Sequence, residues 1–327
     1  MKKLKILSAY WHSVEPDSIN PDFLAGWNPT VSLFRKQIQF FVDRYTPISI
    51  HEFARLAEDP SRQQLYKKPA ALLGFDDGFK NVVDQALPVL NDFGVPALFF
   101  ILGEIVTNPG FLPWYVERNY LIRRTRKKSV TYGNVVFDLT SRDERRNLIQ
   151  SFASSIKACR LDSDRDRSFT SFAELLGVPR PAPRDLDEDL RFITADDFAK
   201  LGSSSLLTVA SHAMTHRFLN GLTYDEQLNE LKQSHLLLAK TSPSYFPALA
   251  YPGGAFNTDS IMAAKQTYKY AFAGLTGASY RNEWAYPRVG IGHDTPEHLS
   301  YAISGTRLTY VLPLKRLLNR AGISNAF

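Results

Sequence analysis

A chain of 327 residues, 44% of them hydrophobic and 13% aromatic, has enough apolar material for one large core, and its 22% of charged residues argue against a disordered protein. Its single cysteine, Cys159, excludes an intramolecular disulfide and a cysteine-based zinc site. The net charge is +6, but no nucleic-acid-binding module accompanies the basic residues, so we expect no nucleic-acid partner.

The first predicted element is a β-strand over residues 6–10, which is followed by His12. Its charged start imitates a signal peptide, but the apolar run is short, soon meets acidic residues and has no cleavage site. No run of about 18 apolar residues occurs in the chain, so no membrane span is predicted. We therefore expect a cytoplasmic protein.

Three further apolar runs have the length of strands and end in polar or turn residues. They are residues 70–75, followed by Asp76 and Asp77; 206–210, followed by Ser211 and His212; and 248–251, followed by Pro252 and Gly253. Apolar runs bounded by turns are typical of buried parallel strands. Another strand is predicted over residues 97–102, after Pro96.

Helices are predicted between these strands. Residues 81–93 carry apolar side chains at helical spacing and end at Gly94, and a capping box at 223–226 begins a later helix. Alternating strands and helices indicate an α/β fold with a parallel sheet, open or closed into a barrel. In such folds the chemistry lies at the C-terminal ends of the strands, where the polar residues fall.

Residues 106–191 interrupt this alternation. We interpret the chain as a single domain, 1–327, with a mostly helical insertion over 106–191. The insertion is predicted to contain an aromatic, basic helix near 114–128, a strand-like stretch over 129–137, a helix capped by Ser141 and a Pro-rich linker over 178–183. The basic segment 123–128 is typical of a solvated helix face; the alternative is peripheral contact with anionic lipid at the inner membrane surface, or with a diphosphate-bearing substrate.

Two adjacent carboxylates, Asp76 and Asp77, stand at a predicted strand end before Gly78, which allows the turn that would let both face one site. One carboxylate can bind a metal ion while its neighbour takes a proton from water. Alone, this triplet is also an ordinary turn sequence.

His212 and His216 are four residues apart after another predicted strand, so both imidazoles can meet one ion. Together with a carboxylate they form a two-histidine, one-carboxylate set that leaves coordination positions open for water and substrate. We expect a divalent cation here, with Zn²⁺ favoured and Co²⁺, Ni²⁺ or Fe²⁺ as alternatives, because zinc activates bound water and polarises carbonyl groups.

The ordered motifs at 75–78, 212–216 and 250–254 resemble the polysaccharide deacetylase family, also called the NodB-homology or carbohydrate esterase 4 family. The resemblance covers about residues 4–105 and 192–305. It implies a distorted (β/α)7-type barrel with Asp76 as general base and Asp77, His212 and His216 as metal ligands. The implied reaction is removal of an N-acetyl group from an amino sugar in a glycan or glycan precursor.

The chain departs from the family pattern in three places, of which two are in the second and third motifs: Ala213 stands where Ser or Thr is usual, and the arginine that often begins the third motif is absent. Arg288 is the candidate for the fourth-motif arginine, where it would orient Asp76 and keep it ionised. The C-terminal strand candidate, 308–312, lacks the histidine of the family's final motif.

Residues 6–14 resemble the start of a circularly permuted branch, the poly-N-acetylglucosamine deacetylases, in which the last strand has moved to the front. His12 is therefore the expected general acid that protonates the leaving amine, and His293 is the second candidate. The remaining histidines at 51, 235 and 298 are expected to have surface or packing roles.

The resemblance places substrate contacts in the third motif, at Tyr251, Pro252 and Gly253, with Trp11 as a further contact because aromatic rings stack on sugar faces. Other candidate stacking rings are those of Trp27, Trp114, Tyr115 and Trp284. A backbone N–H of Tyr251 or a neighbour is expected to stabilise the oxyanion. The expected partner is an N-acetylated sugar or carrier-linked glycan met inside the cell, in cell-surface polysaccharide or lipopolysaccharide biosynthesis.

Four other interpretations stay open. The same metal set could serve a deformylase or a cyclic-amide hydrolase, and it also serves non-haem iron oxygenases, although these are expected to have antiparallel strands. A catalytically silent carbohydrate-binding protein could keep the same fold.

Overall fold

The computed structural model describes residues 6–19, 28–159, 162–194, 196–198, 201, 206–274 and 284–303. Trp27 and the strand candidate at 308–312 lie outside these residues. None of the helices within them combines the length and the apolar character needed to cross a bilayer.

The strands in this part of the chain are β1 (Leu7–Trp11), β2 (Thr46–Ile48), β3 (Ala70–Phe75), β4 (Ala97–Ile101), β5 (Ser129–Tyr132), β6 (Val135–Asp138), β7 (Leu207–Ser211), β8 (Ala248–Ala250), β9 (Tyr270–Gly274) and β10 (Tyr286–Gly290).

The α-helices are α1 (Val31–Arg44), α2 (Ile50–Glu58), α3 (Leu87–Phe93), α4 (Gly103–Thr107), α5 (Trp114–Arg124), α6 (Arg142–Ala158), α7 (Asp162–Leu176), α8 (Tyr224–Thr241), α9 (Thr258–Thr267) and α10 (Pro296–Ile303). A π-helical stretch, Val82–Ala86, precedes α3, and short 3₁₀ turns include Pro252–Gly254.

Seven parallel strands close into a barrel. In the order β3, β4, β7, β8, β9, β10 and β1, each strand pairs with the next, and β1 pairs with β3 to complete the ring. β2 adds to the start of β3 outside this ring. The predicted (β/α)7-type barrel is thereby confirmed, and the N-terminal strand lies between the strand that ends at Asp76 and the strand that carries Arg288.

Strand alternation separates two layers of the core. On β3 and β4, Leu72, Leu98 and Phe100 belong to a cluster with Phe272 of β9, whereas their alternating neighbours pack with helices α1 and α3 in a second cluster. Both faces of these strands are buried, which explains why they are continuous apolar runs in the sequence.

The inserted segment has an apolar cluster of its own, formed by helices α5, α6 and α7 and the hairpin β5–β6. Within it the rings of Phe152 and Phe172 stack at 3.8 Å. The strand-like stretch expected over 129–137 is two antiparallel strands joined at Gly133, and the expected helix near 114–128 ends at Arg124. The insertion is mostly helical, as predicted.

The segment that follows the insertion lies beside the Asp76–Asp77 turn. The backbone N–H of Ile193 donates to the Gly78 carbonyl at 3.0 Å, and the rings of Phe79 and Phe192 stack at 5.0 Å. The end of the insertion is thus attached to one of the loops of the barrel mouth.

Candidate active site

The C-terminal ends of the barrel strands converge on one cavity of about 580 Å³. Four of the residues that line it follow different strands, namely His12 after β1, Asp76 after β3, His212 after β7 and Tyr251 after β8, and a fifth, Arg288, lies within β10. The structure therefore gathers residues that are up to 276 positions apart in the chain, such as His12 and Arg288.

A buried cluster of one carboxylate and two imidazoles occupies the base of the cavity. The Nε2 atoms of His212 and His216 lie 3.3 and 3.5 Å from Oδ1 of Asp77, and the candidate ligand atoms are all within 4.8 Å of one another. This is the set that the sequence pointed to, drawn from two separate strand ends.

The cluster fits a divalent cation. Oδ1 of Asp77 is buried without a hydrogen-bond partner, a state that is costly unless a ligand satisfies it. His212 uses Nδ1 to donate to the Ala250 carbonyl at 2.8 Å, which leaves the lone pair of Nε2 directed at the cluster, as in metal-ligating histidines. One Asp and two His are also the donor types that zinc binds.

Charge in the cluster favours an ionised carboxylate. Burial opposes ionisation of Asp77, but the adjacent His212 and His216 outweigh it and hold the pKa of Asp77 below its usual range. Burial also lowers the pKa of His216 to about 4, so this imidazole is neutral at pH 7 and can donate its lone pair to a cation.

The backbone is strained at the two loops that carry the cluster. The non-glycine residues with positive φ in the described parts of the chain are Asp77 (78°), Ala213 (62°) and His216 (63°). Such conformations are held only by the surrounding structure and are concentrated at functional sites. Two of the three are candidate ligands themselves, and the third follows His212 directly.

Glu230 on α8 holds the histidine loop. Its Oε2 accepts from the backbone N–H groups of Met214 (3.1 Å) and Thr215 (3.0 Å), and its Oε1 accepts from the Thr215 hydroxyl at 2.7 Å. None of the sequence motifs includes this residue. A signal was present, since polar side chains at 227, 230 and 234 fall on the apolar stripe of α8, where they are buried.

A second pair of residues joins β3 to β10. Both terminal nitrogens of Arg288 donate to Asp76, at 2.7 and 2.8 Å, with both side chains buried. Burial raises the pKa of Asp76, but the Arg288 guanidinium more than compensates and lowers it below its usual value. The guanidinium also lies 4.2 Å from the ring centre of Tyr10. Arg288 thus occupies the position from which it can orient Asp76 and keep it ionised.

The two candidate general acids have different locations. His12 lines the cavity, and the backbone N–H of Asp76 donates to the carbonyl of the preceding Trp11 at 2.9 Å, so the two loops run side by side. His293 is exposed and is not among the residues that line the cavity. His235 donates to or accepts from the Tyr245 hydroxyl, and His51 packs on Phe246, as expected for packing roles.

The structure corrects the assignment of Trp11 as a substrate contact. Trp11 is 1% exposed, packs against Phe34, Phe41 and Phe75, and donates from Nε1 to Gln37 at 2.9 Å. It belongs to the core outside the barrel and does not line the cavity, because adjacent residues of a strand point to opposite sides.

In the third motif, Tyr251 and Gly253 line the cavity, whereas Pro252 is buried and does not. The N–H of Tyr251 donates to the Phe272 carbonyl of β9 at 3.0 Å. Because this N–H already has an acceptor in the neighbouring strand, its expected role as the oxyanion donor is wrong. Gly253 has a φ of 58°, and a Cβ there would lie 2.4 Å from Phe218, so only glycine fits.

The insertion forms one wall of the cavity, which includes two of the candidate stacking rings, Trp114 and Tyr115, whereas the sequence did not single out Arg118 or Lys157. Trp114, Tyr115 and Arg118 of α5 and Lys157 of α6 all line it. The ring of Tyr115 lies 4.8 Å from that of His216, and its hydroxyl is buried without a hydrogen-bond partner. Burial and the nearby Asp77 raise the pKa of Tyr115 well above its usual value.

The basic segment 123–128 makes several contacts within the protein. Arg123 forms an ion pair with Asp189 at 2.6 Å, Arg124 pairs with Asp187, and Lys127 donates to the Leu175 carbonyl at 2.6 Å. These contacts attach α5 to the rest of the insertion. Membrane contact through this segment stays a prediction.

The family model described as polysaccharide deacetylase matches residues 64–141 and 194–271 of the chain. YxkH of Bacillus subtilis (strain 168), which is named after the same family, is 30% identical over 81 residues. That match covers 24% of this chain and 29% of YxkH, so the chain spans less than a third of the relative's length.

Solved structures show the same fold. The deacetylase PplD of Streptococcus pyogenes, in complex with acetate, has a TM-score of 0.55 at 16% identity, covering 91% of this chain and 98% of PplD. BC0361, a polysaccharide deacetylase from Bacillus cereus, has a TM-score of 0.54 at 17% identity, covering 91% and 69% of the two chains. At these identities the likeness concerns the fold.

Proposed function

We propose that this chain, a member of the polysaccharide deacetylase family, is a metal-dependent hydrolase that removes the N-acetyl group from an amino sugar in a glycan or glycan precursor. One observation carries the proposal: the buried cluster of Asp77, His212 and His216 shares a cavity with the Asp76–Arg288 pair. The cavity therefore contains both a place for a Lewis acid and a base.

Asp77, His212 and His216 would hold the cation. When bound, a divalent cation such as Zn²⁺ polarises a carbonyl oxygen and lowers the pKa of water, and the open coordination positions of this set suit both uses. Three neighbouring features keep the ligands in place: the bond from His212 to Ala250, the loop held by Glu230, and the ring of Tyr115 against His216.

Asp76 accepts the proton of the attacking water. Arg288 supports this role in two ways, because it fixes both carboxylate oxygens and keeps the group ionised despite its burial. A carboxylate that was free to rotate, or was protonated, would be a poor base at neutral pH.

His12 donates a proton to the leaving nitrogen. An amine is a poor leaving group until it is protonated, so the amide bond breaks only if an acid stands on the side of the leaving group. His12 lines the cavity on the loop beside Asp76, and His293 does not line it. The products are acetate and a sugar with a free amine.

The first test is acetate release. Metal-free protein is prepared with a chelator, reloaded separately with Zn²⁺, Co²⁺, Ni²⁺ or Fe²⁺, and incubated with N-acetylated sugars, free and carrier-linked. We expect acetate and free amine in equal amounts, only from the reloaded protein. Acetate release by the metal-free protein would contradict the proposal. Formate release from N-formyl sugars alone would favour the deformylase, and ring opening of a cyclic amide would favour the cyclic-amide hydrolase.

A further inference from the structure

Two cations on the insertion wall of the cavity lack a carboxylate partner. Arg118 donates to the side chain of its neighbour Asn119 (3.1 and 2.9 Å) and lies 5.2 Å from the Trp114 ring centre. Lys157 lies 5.2 Å from the ring centre of Phe218. Among the residues that the structure describes, neither side chain forms an ion pair.

The carboxylates of the cavity are balanced in other ways. Asp76 is bound by Arg288, Asp189 is paired with Arg123, and Asp77 faces two imidazoles. Glu15 accepts from Asn28 at 2.7 Å and from Asn81 at 3.0 Å.

Burial raises the pKa of Glu15 to about 7, so its charge is only partial near neutral pH. The charges left without an opposite partner in this cavity are therefore both positive.

Burial and charge repulsion both disfavour the charged forms on this wall. Burial lowers the pKa of Arg118 to about 10, and burial together with Arg118 lowers the pKa of Lys157. Like charges that share a partly desolvated wall are unfavourable unless an anion joins them. An anionic ligand bound by both Arg118 and Lys157 would therefore offset this unfavourable charge.

The wall lies close to the metal-binding cluster. Arg118 is one helical turn beyond Tyr115, whose ring contacts His216, and Phe218, beneath Lys157, has its ring centre 6.2 Å from that of His216. The Phe218 ring thus contacts both Lys157 and a candidate metal ligand, and Arg118 follows Tyr115 on the same helix. A sugar unit placed at the cluster would bring its neighbouring unit or substituent to the cations.

We propose that the substrate of this site carries an anionic group, a phosphate or a carboxylate, next to its N-acylated sugar, and that Arg118 and Lys157 bind that group. The proposal rests on the proposed function for the identity of the acyl sugar. The guanidinium fork binds either anion through two hydrogen bonds, and the ammonium adds a point charge. Trp114 and Phe218 provide ring faces on which the sugar can stack.

Binding is measured first, with the metal-free unsubstituted protein, in which Asp76 still balances Arg288 and no substrate should be consumed. The probes are chitotetraose (neutral), a hyaluronan tetrasaccharide (carboxylate) and UDP-N-acetylglucosamine (phosphate). We expect at least one anionic probe to bind about tenfold or more tightly than chitotetraose, as charge-assisted hydrogen bonds allow. The anionic probe that binds more tightly identifies the group.

Arg118→Gln and Lys157→Gln are then added separately. Each should weaken the preferred anionic probe about tenfold and change chitotetraose binding less than twofold. Arg126→Gln and Lys128→Gln, which remove exposed charges of the same insertion outside the cavity, should change neither. Because Lys157 is exposed and has no ion pair to lose, its variant should fold even if Arg118→Gln does not.

Equal affinity for neutral and anionic probes, no binding of either anion, or an equal loss for all probes in both variants would overturn the proposal. Acetate release from all three probes by the unsubstituted, zinc-loaded protein is measured in parallel. If no probe releases acetate but binding of the anionic probes still requires Arg118 and Lys157, the proposed function is wrong and the proposed anion-binding site is supported.

Discussion

The guanidinium of Arg288 donates to both oxygens of Asp76, at 2.7 and 2.8 Å, although 212 positions separate the two residues in the chain. Both side chains are buried, so neither charge has water to replace its partner. The pair joins β10 to the end of β3 across β1 and fixes the proposed base in one orientation. Its consequences for stability can be measured without any substrate.

Arg288→Met should lower the free energy of unfolding by about 3–5 kcal/mol, because it leaves Asp76 buried without a partner. The free energy of unfolding of the double variant Asp76→Asn/Arg288→Met should exceed, by at least about 1.5 kcal/mol, the value obtained by adding the effects of the two single substitutions. Urea denaturation of the metal-free proteins measures this cycle. Strict additivity would mean that the pair is not coupled in solution.

His12→Gln should lower kcat for amide substrates by about 10²–10⁴, because the departing amine loses its acid. Hydrolysis of an aryl acetate ester, whose phenolate leaves without a proton, should change much less. His293→Gln is the matched control and should affect neither substrate, since His293 is exposed outside the cavity. An equal loss on ester and amide would remove His12 from the role of acid.

Glu230→Gln should weaken metal binding about 10–100-fold, as is typical when a group that orients a metal ligand is lost. The amide oxygen can still accept from the two backbone N–H groups and the NH₂ can donate to the Thr215 hydroxyl, but the negative charge that strengthens these bonds is lost. Competition with a chelator measures the affinity, and Asp225→Asn, exposed on the same helix, is the control. An unchanged affinity would show that the loop holds its shape without Glu230.

Gly253→Ala and Gly133→Ala compare two glycines with nearly the same left-handed backbone, φ of 58° and 61°. Gly133 has open space around it, so alanine there should cost only about 1–2 kcal/mol of backbone strain. At Gly253 the new Cβ meets the Phe218 ring, which adds about 1–3 kcal/mol and displaces a cavity-lining side chain. Thermal unfolding and kcat/KM should both separate the two variants; equal effects would contradict the steric argument.

The metal-binding cluster was predictable for one physical reason. Parallel strands end at the same edge, so polar residues that follow buried apolar runs must meet there. Asp77, His212 and His216 do meet, and Arg288 reaches Asp76. The alternation of strands and helices left the parallel sheet open or closed, and only the resemblance to the family implied the barrel.

Two of the predictions from the sequence were wrong, although the sequence contained the information needed to make them correctly. Period-two alternation puts Trp11 on the face opposite Tyr10, away from the cavity, and its side chain is in the core. The hairpin at 129–138 has a Gly-Asn pair at its centre, a recognised signal for a two-residue turn between strands.

The insertion wall could not be predicted from local pattern. Tyr115 and Arg118 lie on a helix of mixed character whose sequence does not indicate which surface it covers. Its placement depends on distant contacts, such as the ion pair between Arg123 and Asp189 and the backbone bond from Ile193 to Gly78. The hydrogen bond of the Tyr251 N–H could not be predicted from local pattern either, because its acceptor is the Phe272 carbonyl of the neighbouring strand β9.

The central claim is that Asp77, His212 and His216 hold a cation beside a separate base, Asp76. Metal content and acetate release, measured together on the unsubstituted protein, Asp76→Asn and His212→Ala, test it most directly. We predict that the unsubstituted protein binds metal and releases acetate, that Asp76→Asn binds metal without releasing acetate, and that His212→Ala does neither. Undiminished metal affinity in His212→Ala, or sustained turnover in Asp76→Asn, would contradict the account.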